Sequence, residues 1–252
     1  MRYDQFENYL DTDLAWRKKE ISELLLLAKT SNKEVLLKSL ILLLYAHWEG
    51  YIKKSSKLYI KYVSEEKIKI NDLSSNFTAI VLKSQISRCI EESDSLTLAN
   101  ELSFINGYLK KINKRFKIKI DPDKDLDKDI IDTQSNLKPK VFKSIVDIVG
   151  LDYKTSIETR EHYINSNLLA NRNCIGHGSP FDHTNQLDFS LTLKDIEKLK
   201  DIIFSIIDNY REELLDYVNN EFYLSVNEVK RKSYTLKKDK ELEKLFSQIE
   251  SV

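Results

Sequence analysis

What this chain has little of already narrows its architecture. Among 252 residues there are 5 glycines and 3 prolines. Turn-rich β folds use both residues repeatedly, so their scarcity points to long helices. The two cysteines, Cys89 and Cys174, make neither a disulfide framework nor a cysteine zinc site. They are compatible with a reducing, cytoplasmic setting. Neither sign of charge is in excess: 40 Lys and Arg balance 40 Asp and Glu. Bulk attraction to nucleic acid is therefore absent, and any such partner needs a local basic patch. Long apolar runs are also missing. Leu24–Ala28 and Leu40–Ala46 are the richest, both far below the roughly 20 residues of a membrane span. The N-terminus is charged from Arg2 and Asp4 onward, unlike a signal peptide. No phosphate-binding glycine loop, dinucleotide fingerprint or Ser-His-Asp arrangement occurs. Between His177 and His183 stands a proline-bearing stretch with only Asp182 near, which is not metal-ligand spacing. Nothing calls for a cofactor or a metal.

What is present is helical periodicity over a 41% hydrophobic composition. Asp4 to about Lys29 reads as a first helix, with Phe6, Leu10, Leu14, Ile21, Leu24 and Ala28 to one side. Asn32 suits the N-cap of a second helix through about Val63. In it Leu37, Ile41, Leu44, Trp48, Ile52, Ser55, Tyr59 and Tyr62 fall in one stripe. Leu73–Glu91 and Leu96–Phe116 read as two more helices. Residues 117–136 break the pattern. Their Asp-Pro-Asp-Lys-Asp-Leu-Asp-Lys-Asp run reads as a solvated loop, and Phe116–Ile120 as loop or short strand. Lys138–Val149 is helical and stops at Gly150, a suitable C-terminal cap. Next come a helix from Tyr153 or Thr155 to about Gly176, a loop over Ser179–Leu191, a long helix over Leu193–Tyr223 and a charged one over Asn227–Ser251. The fold class expected is all-α, one helical domain over 1–252 with additional helices and one long charged loop.

The residues that carry chemistry close the helix ending at Gly176: Arg172-Asn173-Cys174-Ile175-Gly176-His177. Advancing about 100° per residue places Ile157, Ile164, Leu168 and Ile175 within about 20° of one direction. Asn173 and His177 fall about 160° and 200° away, neighbours on the opposite face. Arg172 lies about 60° from the stripe and can reach round. His177 is therefore off its own helix's core face. It is either a functional group, a histidine on the helix C-terminal dipole, or a contact between helices. Thr159, Ser166 and Ala170, beside it on the wheel, are small enough to admit a second helix, from this chain or another subunit.

These groups suit phosphodiester cleavage. Histidine moves protons near neutral pH. Arginine holds a phosphate and offsets charge developing on it. Asparagine orients either. RNA brings its own nucleophile, the 2′-hydroxyl. One histidine per chain is a thin proton-transfer apparatus, and two copies at a two-fold axis make a fuller one.

Arg172-Asn173-x-x-x-His177, followed by Gly178, resembles the Arg-x4-His motif of HEPN-superfamily ribonucleases. Tyr45-Ala46-His47-Trp48-Glu49-Gly50-Tyr51, and Ser135-Asn136-Leu137 leading to Ile148-Val149-Gly150-Leu151, are similar to the stand-alone HEPN-like nucleases of prokaryotic toxin and defence loci. The resemblance covers roughly residues 5–220, with the helix at 227–251 less clearly included. It implies a helical bundle that dimerises with both Arg-His pairs at the interface. The implied activity is metal-independent endoribonuclease, acting as a toxin or antiviral effector, with RNA as substrate and an antitoxin or sensor protein as further partner. Carried across, Arg172 stabilises or positions the phosphate, His177 is the acid/base and Asn173 a positioning residue. Some HEPN toxins are silenced by nucleotidylation of a tyrosine two past the histidine. Here that position is Ser179, so that control is not implied. The alternative is a non-catalytic HEPN module that binds a partner protein or nucleotide with the same face.

Glu49 sits about 100° off the second helix's stripe. It either pairs with Arg172 or makes a structural hydrogen bond, and the second is preferred because an interior carboxylate needs a partner to be tolerated. His162 and His183 are expected in solvent. Lys110–Arg115 and Lys230–Lys232 read as solvated faces before phosphate contacts, and the 13 tyrosines as core before base-stacking platforms.

Overall fold

A computed structural model describes residues 1–31, 33–91, 98–124, 130–134, 136–178 and 192–251, less the side chains of 84–85 and 88–91. The helices are α1 (Tyr3–Ser31), α2 (Glu34–Glu65), α3 (Ser75–Glu91), α4 (Ala99–Lys111), α5 (Pro139–Val149), α6 (Thr155–Glu158), α7 (Glu161–Ile164), α8 (Ala170–Gly176), α9 (Leu193–Asn219) and α10 (Glu228–Glu250). Short 3-10 turns precede α3 and α10. The described residues hold no strand. Two isolated bridges, Lys69 with Arg115 and Leu73 with Leu224, are the sum of their β pairing. The fold is all-α. Phe116 does not open a strand: its amide donates to the Ile68 carbonyl at 2.8 Å, and its ring is buried against Phe77.

The second helix is the hub. α1, α5, α8 and α9 all pack on α2, and α1 also touches α9. Of its expected stripe Ile41, Leu44, Trp48, Ile52, Ser55, Tyr59 and Tyr62 are buried, and Leu37 is half-buried against the same core. Each large apolar side chain so removed from water contributes about 1.5–3 kcal/mol. By length and hydropathy α2 is also apolar enough to cross a membrane, although no single run within it is. Its position inside the bundle accounts for that composition, since four helices cover it. Trp48 meets Phe142 of α5 at 5.1 Å between ring centroids, and Phe142 meets Tyr210 of α9 at 5.8 Å. The Tyr210 hydroxyl closes on Ser56 at 2.7 Å.

Several boundaries differ from those expected. α2 starts after Lys33, which makes no side-chain cap, and Asn32 lies outside the described residues. α4 stops at Lys111, short of Phe116. The cap at Gly150 is as expected: its φ is 81°, and its amide reaches Asp147 O. α9 begins with a reciprocal capping box. Thr192 Oγ1 accepts from the Asp195 amide, and Asp195 accepts from the Thr192 amide, each at 3.2 Å. It ends at Asn219 rather than Tyr223. Of the charged run, Asp121–Lys124 form a turn held by Lys57, whose buried Nζ donates to the Lys124 carbonyl at 2.6 Å. Residues 125–129 of that run, and Ser179–Leu191, lie outside the described residues.

Candidate functional site

The segment from Thr155 to Gly176 is not the single regular helix its pattern implies. It breaks at Thr159–Arg160, where Arg160 takes φ −107° and ψ 3°. The Arg160 guanidinium is drawn to α10, where it meets Glu243 and Glu250 at 2.7–3.0 Å and lies over the Phe246 ring at 4.4 Å. The chain then passes through a π-turn, Asn165–Leu169, closed by the Ala170 amide on the Asn165 carbonyl. Such turns are single wide loops within helices and recur at functional sites. This one rotates the later residues around the axis. Ile164 and Leu168 are buried as expected, but Ile175 is only half-buried. In the last stretch the buried position is Asn171, whose amide nitrogen donates to Asn167 O at 2.7 Å. A regular-helix wheel misplaces Ile175 for this reason.

His177 nevertheless stands off the core, as the wheel predicts. α8 packs on α2, and Arg172 and Asn173 are half-buried at its edge while His177 is exposed. His177 ends the helix with φ −90° and ψ 3°, its amide donating to Asn173 O at 3.0 Å. Arg172 Nη1 donates to Asn173 Oδ1 at 2.9 Å. The arginine, the amide and the imidazole therefore lie within about a turn and a half at the C-terminal end of α8. Ala170 is exposed and Ser166 half-buried, whereas Thr159 faces the α10 side, where its hydroxyl accepts from Arg160 at 3.0 Å.

The floor under Arg172 is a residue that the sequence placed in the Tyr45–Tyr51 motif without a role of its own. Its guanidinium carbon lies 4.5 Å from the ring centroid of Tyr45 in α2. Tyr45 is buried, and its hydroxyl accepts from the Leu137 amide at 2.9 Å. Burial pushes that hydroxyl's pKa up to about 12, the neighbouring Glu49 carboxylate pushes the same way, and Arg172 pulls against both. Glu49 is half-buried and makes no ion pair with Arg172 among the described residues. Its carboxylate lies near enough to the Tyr45 hydroxyl to push that group's pKa up. The available signal was the four-residue spacing of Tyr45 and Glu49, which puts them on one helix face.

The rest of the Tyr45–Tyr51 motif is explained by contacts. Trp48 Nε1 donates to the Leu137 carbonyl at 3.3 Å, so Tyr45 and Trp48 together clamp the 136–137 segment, to which the resemblance also pointed. His47 turns the other way, toward α1. Its Nδ1 is 3.4 Å from Arg17 Nη1, and since arginine only donates, that nitrogen is the acceptor. The proton then sits on Nε2, 3.3 Å from Glu20 Oε2. Burial lowers the His47 pKa, with the Arg17 charge acting in the same direction. Arg17 is itself paired with Asp13 at 2.8 Å. Gly50 leaves room for it: a Cβ there would lie 2.8 Å from Arg17 Nη1.

Of the other histidines, His162 is exposed and His183 lies outside the described residues, as does Ser179. Among the described residues no group of three His, Cys, Asp or Glu side chains is placed to hold a metal ion. No characterised protein and no solved structure matches the chain significantly. A family model described as HEPN_MAE_28990-like HEPN matches residues 6–223. That span begins in α1, takes in both Tyr45–Tyr51 and Arg172–His177, and stops before α10. An all-helical bundle whose Arg-x4-His turn is seated on its central helix agrees with the match, and the chain belongs to the HEPN_MAE_28990-like HEPN family.

Proposed function

We propose that this protein is a metal-independent endoribonuclease whose working groups are Arg172, His177 and Asn173. The observation that carries the reading is the division of labour across Arg172–His177. The guanidinium is half-buried and held by neutral groups, while the imidazole five residues on is exposed and accessible to a substrate. A fixed cation and a histidine are what 2′-hydroxyl attack requires. The 2′-oxygen attacks phosphorus, the P–O5′ bond breaks, and the 5′-oxygen takes up a proton. The products carry a 2′,3′-cyclic phosphate and a 5′-hydroxyl. His177 removes the 2′-proton or delivers the 5′-proton, Arg172 offsets the charge on the pentacoordinate phosphorus, and Asn173 keeps the guanidinium in register through its 2.9 Å hydrogen bond.

One imidazole does not serve both ends of the reaction at once, so the active form is a homodimer that brings two α8 turns together. The exposed side of α8 at Ala170 and His177 leaves space for that approach. In the cell the activity suits a toxin or an antiviral effector, restrained or triggered by an antitoxin or sensor protein. The test is incubation of wild type and His177→Ala with total RNA in EDTA. The expectation is cleavage by wild type to cyclic-phosphate and 5′-hydroxyl ends, with a loss of about 10²-fold or more in the variant. Equal cleavage by the two proteins overturns the assignment. Sedimentation of wild type checks the dimer. If RNA is untouched while nucleotide or a protein partner binds the α8 end, the alternative of a non-catalytic module holds.

A further inference from the structure

We propose that Tyr45 is the positioning residue for Arg172, its ring holding one flat face of the guanidinium so that the N–H edges stay directed at a phosphodiester. This rests on the ribonuclease reading for its purpose, but not for its geometry.

How Arg172 is held differs from how the two buried arginines, Arg17 and Arg160, are held. Arg160 is engaged by the carboxylates of Glu243 and Glu250, and Arg17 by Asp13. Those contacts consume the in-plane donors and neutralise the charge. Arg172 rests instead on a neutral ring at 4.5 Å and a neutral amide at 2.9 Å. A cation over an aromatic face is fixed from the side that makes no hydrogen bonds. Among the described residues no carboxylate neutralises it, and its edge is suited to a bidentate grip on phosphate. Partial burial strengthens the stacking by removing water.

The ring has little freedom of its own. Tyr45 is 3% exposed, and its hydroxyl takes the Leu137 amide at 2.9 Å while facing Glu49. Trp48 secures the same residue through the Leu137 carbonyl. A path of contacts thus runs from the 136–137 segment through Tyr45 to Arg172, and the end of it is a flat support rather than a counter-ion. Glu49 acts one step removed, on the hydroxyl.

The experiment compares Tyr45→Phe, Tyr45→Leu and 3,4,5-trifluorophenylalanine at position 45 in the full-length protein. The fluorinated ring keeps the shape of phenylalanine while withdrawing charge from its face, so it remains informative where Tyr45→Leu fails to fold. Two readouts are taken: kcat and KM on an RNA substrate, and the rate at which phenylglyoxal modifies Arg172, followed by peptide mass. Tyr45→Phe should stay within about threefold of wild type in kcat. The leucine and trifluoro variants should lose about tenfold in kcat with a smaller change in KM, and Arg172 should be modified several-fold faster. Folded leucine and trifluoro proteins that match Tyr45→Phe in both readouts overturn the proposal. If wild type cleaves no RNA, the functional reading falls. The modification rate alone then decides whether Tyr45 holds Arg172.

Discussion

Gly50 and Arg17 occupy adjoining space, and the consequence is measurable. A Cβ at position 50 would meet Nη1, Nη2 and Cζ of Arg17 at 2.8–3.3 Å. Arg17 has little room to retreat, because it is buried, paired with Asp13 and stacked over Trp16 at 4.5 Å. Gly50→Ala should therefore cost about 1–2 kcal/mol, as over-packing does, and urea denaturation reads it directly. His47 responds to pH. Its pKa is depressed in the folded protein, so the unfolded chain binds the extra proton more readily. The stability it contributes is complete above the ordinary imidazole value of about 6.5 and is lost as pH falls through the lower folded value. Protonation would also place a cation against Arg17. Thermal melts of wild type and His47→Gln from about pH 8 to pH 5 should converge as the pH drops. A constant offset between them would contradict this reading.

Among the elements, α10 lies beyond the residues matched by the family model yet is tied firmly to the segment that leads to α8. Phe246 is fully buried beneath the Arg160 guanidinium, and Asp239 accepts from the Ser156 amide at 3.0 Å. Phe246→Ala should destabilise the protein by about 3–5 kcal/mol. Denaturation followed by circular dichroism checks the size of the loss. The legibility of the elements obeys the same physics. α2 was readable because its stripe repeats with the helical period and nearly all of it is buried. Arg172, Asn173 and His177 were readable as a group because they lie close together in the sequence. The π-turn was not, since apolar spacing before and after it looks regular and one extra residue leaves no compositional trace. Tyr45 was not, because its role depends on a contact between two helices far apart in the chain, and a tyrosine on a buried helix looks like packing. Arg160 was unreadable for a similar reason: the glutamates that turn it lie on the last helix.

For the whole molecule, one buried ion pair joins the start of the 154–176 segment to α9. Lys154 and Glu213 are almost wholly enclosed and contact each other directly. Burial raises the Glu213 pKa, with Lys154 opposing. Removing one partner leaves the other charged and without water. Glu213→Leu or Lys154→Met alone should cost about 3–5 kcal/mol, while the double replacement Lys154→Met with Glu213→Leu should cost far less. Denaturation of the two singles and the double forms the cycle. A double variant as unstable as the sum of the singles would show that the pair is not coupled.

The π-turn also bears on how relatives of this chain are compared. Asn165–Leu169 holds one residue more than an α-helical path between the same end points would use. A relative whose helix is regular there is one residue shorter between Ile164 and Ala170 at equal spatial length. Aligned without a gap, its arginine would fall opposite Asn171 and its histidine opposite Gly176, and a preserved motif would read as lost. Placing a single-residue gap inside that turn restores both positions, so the motif is best traced backward from its glycine-flanked C-terminal end.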